Sequence, residues 1–178
     1  TAFFDKIITQ SRVKLFIQSS TTQRVIVKTG DNLIDDVKVS VNDENTLLIE
    51  NNNGCNIFRD FEQVRVFVSA PNITSIRNGS GYSIESIGVL DYPDLTLISE
   101  DGNNDDLFNT DGDFILQVNS NRLEIVGNNI SNFFLSGETT SAQFKLFGGD
   151  GRIDAPNLVI QNLKIFHRGS NVMIVNPQ

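Results

Sequence analysis

The chain has 178 residues, a net charge of −8 and a pI near 4.5, which is enough for one domain with a real core and short for two. So acidic a surface would repel the phosphates of nucleic acid, and no basic aromatic groove offsets it, so no nucleic-acid partner is expected. A lone Cys55 excludes an intrachain disulfide, and no apolar run approaches the roughly 18 residues needed to span a bilayer.

Val, Ile, Thr and thirteen Phe favour strands, while Asn, Asp, Gly and Ser fill the gaps, so the composition reads all-β. The chain begins at Thr1 rather than Met, as expected of a mature or trimmed chain whose signal peptide or lipid-attachment segment has been removed.

Residues 3 to 50 alternate strictly: Val13, Leu15 and Ile17 share a face, then Val25 and Val27, then Val37, Val39 and Val41, then Leu47 and Ile49. Between them, residues 30–36 predict a short helical turn capped by Asp31, with Leu33 and Ile34 closing one end of the core. A turn at Asn51–Gly54 and a loop from Cys55 to Gln63 follow. These first 63 residues read as an N-terminal β-meander that caps a stack of coils.

The segment from Val64 to Ser86 looks like one such coil. Val64, Val66 and Val68 face inward with Arg65 and Phe67 outward. A corner follows at Ala70-Pro71-Asn72, where proline suits a strand boundary. Ile73 and Ile76 then return to the core, and Gly79-Ser80-Gly81 makes the next bend. The corner recurs at Tyr92-Pro93-Asp94 and Ala155-Pro156-Asn157, with spacings of 22 (93 − 71) and 63 (156 − 93), the latter three times 21. Such a period marks a repeat architecture. It predicts the two missing corners near Gly112–Ile115 and Ser131–Phe134, with Ile73, Leu95 and Leu158 stacked in one column.

Apolar strands follow down to Val172-Met173-Ile174-Val175, separated by short Gly, Asn and Asp bends. That pattern suits parallel stacking with right-handed connections. The expected fold is an all-β, right-handed parallel β-helix-like solenoid, one domain over residues 1–178, with coils from 64 to 178.

Phe4-Asp5-Lys6-Ile7, Val13–Gln18, Val25-Ile26-Val27, Asp31–Val39, Thr46–Ile49 and Val66–Ile76, ending in Gly79-Ser80-Gly81, together resemble the head GIN domain family of "putative auto-transporter adhesins". The family is a domain of unknown function common in Bacteroidetes envelopes. The resemblance covers most of the chain and is best over residues 4 to 86. It implies a right-handed parallel β-helix-like fold behind a signal or lipoprotein peptide, hence a place in the periplasm, on the outer membrane surface or outside the cell. After about residue 100 only Leu135-Ser136-Gly137 and His167-Arg168-Gly169-Ser170 keep fragments of the family's Gly-Ser-Gly pattern.

The acidic turns Asp101–Asp106, Asp111-Gly112-Asp113 and Gly149-Asp150-Gly151 carry oxygen ligands of the kind Ca²⁺ takes, with Asp101, Asp105, Asp111 and Asp113 the candidates. The EF-hand pattern fails, because the bidentate acid expected twelve positions along from Asp101 is Gly112. They read as solvated turns, and neither metal nor cofactor is expected. His167 is the only histidine and Cys55 stands far from it in sequence, so no nucleophile–base pair is indicated.

Against the acidic background, Arg65, Phe67, Arg77 and Tyr82 mix basic and aromatic character and are the candidate ligand-binding residues. The resulting expectation is a non-catalytic envelope binding or adhesion module that meets a glycan or a protein. The alternatives are a polysaccharide-active enzyme on the same fold, using paired carboxylates, and a purely structural envelope protein.

Overall fold

The structure, a computed structural model, describes residues 2–10, 12–31, 33–52, 64–100 and 109–178. The expectations for Cys55, for the Gly54 turn and for the carboxylates of Asp101 and Asp105 fall outside those residues.

The described chain is all-β. Its strands are β1 (Lys6–Gln10), β2 (Val13–Ser19), β3 (Arg24–Lys28), β4 (Val37–Val41), β5 (Thr46–Asn51), β6 (Val64–Ala70) and β7 (Ser75–Gly79). They continue as β8 (Ile84–Asp91), β9 (Asp94–Ser99), β10 (Phe114–Gly127), β11 (Phe133–Leu146), β12 (Ile153–His167) and β13 (Met173–Pro177). The one helical element among the described residues is a 3-10 turn, Ile34–Asp36.

All thirteen strands join one sheet, in the order β3-β6-β2-β8-β10-β9-β7-β1-β5-β4, with β11, β12 and β13 following on from β10. The sheet is curled into a half-barrel, and β10 shows why. Its first half, Phe114–Asn119, pairs with β8, and its second half, Arg122–Gly127, pairs with β9. The sheet therefore folds over at Ser120–Asn121 into two arms whose inner faces meet.

Each arm carries a continuous inward row of apolar residues that opens toward its ends, where Ile165 is 49% exposed. In the first arm Val27, Val66, Leu15, Ile84, Phe114, Phe133, Ile153 and Met173 lie opposite one another from strand to strand. In the second arm Val41, Leu47, Ile7, Ile76, Leu97, Ile125, Phe144 and Ile165 do the same. The middle of both rows is fully buried, and the rings of Phe114 and Phe133 stack with centroids 4.9 Å apart and planes 6° apart. Each such side chain contributes about 1.5–3 kcal/mol through burial.

The expected N-terminal meander is not there. β1 lies inside the second arm, parallel to both β5 and β7, and β2 lies inside the first, parallel to both β6 and β8. Arg12, with φ of 59°, turns the chain between arms, so β1 and β2 are not a hairpin. Only β3 and β4 pair antiparallel, at the two ends of the path. Strand alternation looks the same in either pairing, which is why the sequence misled.

The helical turn is present but shorter than expected. Leu33, not Asp31, occupies the N-cap position, and no side chain bonds to that end. Ile34 stays 44% exposed, because a three-residue turn cannot bury two consecutive apolar side chains.

The corners divide two against one. Pro71 and Pro93 lead into β7 and β9, which pair with Ser75 opposite Thr96, and the Tyr92 hydroxyl donates to the Ala70 carbonyl (3.3 Å), tying the two corners together. Burial pushes the Tyr92 phenol up to about 12, so it stays a donor. Pro156, by contrast, sits inside β12 at a register shift, and β12 bends instead beyond it, where Ile160 lies opposite Thr139. Leu158 consequently shares a row with Gly137, Val118 and Leu90, whereas Leu95 shares one with Leu123, Ala142 and Leu163. The expected single column of Ile73, Leu95 and Leu158 does not form.

Phe114 and Phe133, expected near the missing corners, are in-register strand starts. Gly137 marks how tightly adjacent strands approach: its φ is +106°, and a Cβ there would stand 2.0 Å from the Val118 carbonyl oxygen.

All three corner residues are nonetheless core residues, with Ile73, Leu95 and Leu158 at most 2% exposed. Replacing each with Ala is expected to cost about 2–5 kcal/mol in denaturant unfolding. A loss below about 1 kcal/mol at two of the three positions would show that these rows do not carry the fold.

Candidate functional site

Because inward positions alternate with outward ones, the parallel register that builds the core also builds an outer face. On β3, β6 and β2 the outward residues form a grid. Ile26 lies opposite Phe67 and Phe67 opposite Phe16; one step along, Lys28 lies opposite Arg65 and Arg65 opposite Lys14; at the other side are Arg24, Ser69 and Gln18.

The Phe16 and Phe67 rings stack with centroids 4.9 Å apart and planes 11° apart. Lys28 Nζ stands 4.9 Å from the Phe67 centroid and Lys14 Nζ 5.3 Å from that of Phe16. Cation–π contacts of this kind contribute about 0.5–1 kcal/mol at exposed sites and hold the ammonium groups over the rings. The outward positions of these three strands carry four cations and no acid.

The first acid across the face is Glu85 on β8, opposite Phe16. Its Oε1 accepts from Lys14 Nζ (2.7 Å) and from Ser83 Oγ (2.8 Å). Burial pushes the Glu85 carboxyl up, but the hydrogen bonds from Lys14 and Ser83 and the lysine charge outweigh it and hold the carboxyl below its usual range. The same outward row continues past Glu85 through Ile115, Phe134, Asp154 and Ile174. Around Ile115 and Phe134 it sinks into a groove of about 500 Å³.

The four candidate binding residues do not converge on one face. Arg65 and Phe67 stand together on β6. Arg77 lies on β7 in the other arm, where its guanidinium donates to the Glu100 carbonyl (2.6 Å) and to Glu100 Oε1 (3.1 Å). Tyr82 is half-buried in the bend before β8, and its carbonyl accepts from Asn78 Nδ2 and Ser80 Oγ. The corner at residues 70–72 carries the chain from one arm to the other, so alternation counted through it cannot keep residues on one face. Phe16, Lys14 and Lys28 escaped the sequence reading because their nearness to Phe67 depends on register. The signal was there in Val13–Ile17, where Phe16 is the outward aromatic between two core positions.

Of the acidic candidates, Asp113 spends Oδ1 on the Asn132 backbone N–H and side-chain amide, both at 2.9 Å, and Asp111 is exposed. Among the described residues no three of His, Cys, Asp and Glu are gathered to hold a metal ion. His167 is exposed at the end of β12.

A family model described as "putative auto-transporter adhesin, head GIN domain" matches residues 3–178. The chain belongs to this family. Solved structures share the fold of this head GIN domain at low identity. A "putative adhesin" from Bacteroides fragilis superposes with a TM-score of 0.83 at 20% identity, over 99% of this chain and 77% of that one. A "putative adhesin" from Parabacteroides distasonis gives 0.64 at 14%, over 98% and 78%. A "putative lipid binding protein" from the same species gives 0.56 at 12%, over 99% and 92%. No curated protein matches the sequence.

Two outcomes follow from this geometry. Because its folded pKa is lowered, Glu85 stabilises the fold above its unfolded value and loses that contribution as pH falls through the folded value. Glu85→Gln is therefore expected to lower Tm at neutral pH, with the gap closing below the ordinary carboxylate pKa of 4.5. A gap that persists unchanged in acid would show that Glu85 acts through packing and not charge. For metal, a chelator is expected to leave Tm unchanged, and a rise of several degrees on adding millimolar Ca²⁺ would identify a bound ion.

Proposed function

We propose that this head GIN domain is a non-catalytic binding module of a bacterial cell envelope, which meets an acidic glycan or protein through the outer face of β2, β3 and β6. One observation carries the reading. On a chain of net charge −8, the outward positions of three adjacent strands gather Lys14, Arg24, Lys28 and Arg65 around the stacked Phe16 and Phe67. Arginine and aromatic residues are the types enriched at binding hot spots, and a local positive field on an acidic protein selects an acidic partner.

The scaffold is proposed as one right-handed parallel β-solenoid over residues 1–178. Its support is the regular step of the pairing from β10 to β13: Phe133 follows Phe114 by 19 residues, Ile153 follows Phe133 by 20, and Met173 follows Ile153 by 20. An extracytoplasmic place is supported by the family description and by neighbours described as adhesins from Bacteroides and Parabacteroides. No helix of the described residues is long and apolar enough to cross a membrane.

The test is binding to envelope polysaccharide and envelope protein fractions, with wild type compared against Lys28→Ala/Arg65→Ala. Arg122→Ala, an exposed cation of the other arm, serves as control. The double variant is expected to bind about tenfold more weakly and to lose much of its salt sensitivity, while the control binds as wild type does. Equal binding by all three proteins would move the contact to another face, and turnover of any polysaccharide would replace this reading with that of an enzyme.

A further inference from the structure

We propose that the groove over β10 and β11 is a binding site for a neutral saccharide. The proposal rests on the reading of this outer face as a binding face and names a second ligand chemistry on it. The groove follows from departures from regular pairing. Between β8 and β10, Ile115 lies opposite Glu85 but Gln117 lies opposite Val89, so β8 carries two extra residues within Ser86–Gly88. Gly88, with φ of +73° and open space around it, makes that detour possible. Between β11 and β12, Phe134 lies opposite Asp154 but Ser136 lies opposite Asn157, so β12 carries one extra residue at Ala155-Pro156.

β10 and β11 pair with each other without a shift. They form the floor, and the bulged segments of β8 and β12 line it as walls on either side through Ser86, Gly88, Pro156 and Asn157. The walls stand three strand spacings apart, about 14 Å between strand axes. Bulges of this sort re-aim side chains and are features in their own right.

The lining decides the ligand class. Its floor is the adjacent pair Ile115 and Phe134, 45% and 38% exposed. Its polar groups are Gln117, Ser136, Asn157, Ser86 and Asp154. Asp154 is held by Arg152 through a 2.7 Å contact, and no cation lines the groove, so it offers nothing to an anionic ligand. The floor strands lie within the sheet with both neighbours paired, so no peptide can add as a strand. A lining shared between apolar carbons and amide or hydroxyl groups does not suit an acyl chain. What fits is a ligand with an apolar face for Phe134 and hydroxyls for the amides of Gln117 and Asn157, namely an uncharged sugar chain.

The experiment is amide NMR of the labelled protein titrated with millimolar cellohexaose, xylohexaose and mannohexaose, and with a hexamer of galacturonic acid as the charged comparison. At least one neutral hexasaccharide is expected to shift amide resonances of residues 115–117, 134–136, Asp154, Ala155 and Asn157, and the uronic acid to leave them in place. Phe134→Ala and, separately, Gln117→Ala are each expected to weaken that binding at least about threefold, with the unshifted spectrum reporting an intact fold. Lys28→Ala/Arg65→Ala is expected to leave it unchanged, so failure of the groove and failure of the basic face are read separately. No perturbation by any neutral sugar, perturbation insensitive to both groove variants, or equal perturbation by the uronic acid would each overturn the assignment.

Discussion

Every inward side chain in the middle of this protein rests on an inward side chain of a neighbouring strand of the sheet, and that requirement sets almost everything else. Parallel pairing at steps of 19 to 21 residues brings Phe133 onto Phe114 and Phe144 onto Ile125. It also brings polar onto polar at the bends, where Ser120 Oγ donates to Thr139 Oγ1 across 3.0 Å and the buried Asn78 amide closes a network with Thr9 and Ser80. A slip of one residue would turn each strand's apolar set to water and its Lys, Glu and Asn residues to the core. Register is thus fixed by burial along whole rows and by no single contact.

The same constraint explains how relatives at 20% identity or less keep the fold. Rows tolerate exchange of apolar residues of similar volume, and outward positions are free of packing demands. The outer face is the part of such a scaffold that can be written for a ligand. Here it carries two different surfaces on one row: cations around stacked rings on β2, β3 and β6, and on β10 and β11 a groove that no cation lines. Glu85 stands between them, its charge absorbed by Lys14.

Where pairing is regular the outer surface is flat, and where it is not there is relief. The groove exists because β8 and β12 hold residues that their partners do not match. Pro156 is the instructive case. By spacing it reads as a third corner of a strict period; in three dimensions it is the bulge that walls the groove. Proline serves both places for one reason, since it has no N–H to lose from a ladder.

What the sequence by itself determined was the local alternation. The inward faces of Val13–Ile17, Leu47–Ile49 and Val64–Val68, the outward Arg65 and Phe67, the bend at Gly79-Ser80-Gly81 and the all-β class follow from a period of two and from turn chemistry, which act between residues close in the chain. The family likeness also lay in those strands. Only the tertiary structure decided which strand lies beside which. It threaded β1 and β2 into the interior of the two arms, parted Arg77 from Arg65 across a corner, and brought Lys28 and Phe16 to Phe67. Those outcomes depend on pairing between residues far apart in sequence, whose energy comes from closing a shared core, and a single strand's alternation carries no information about its partner.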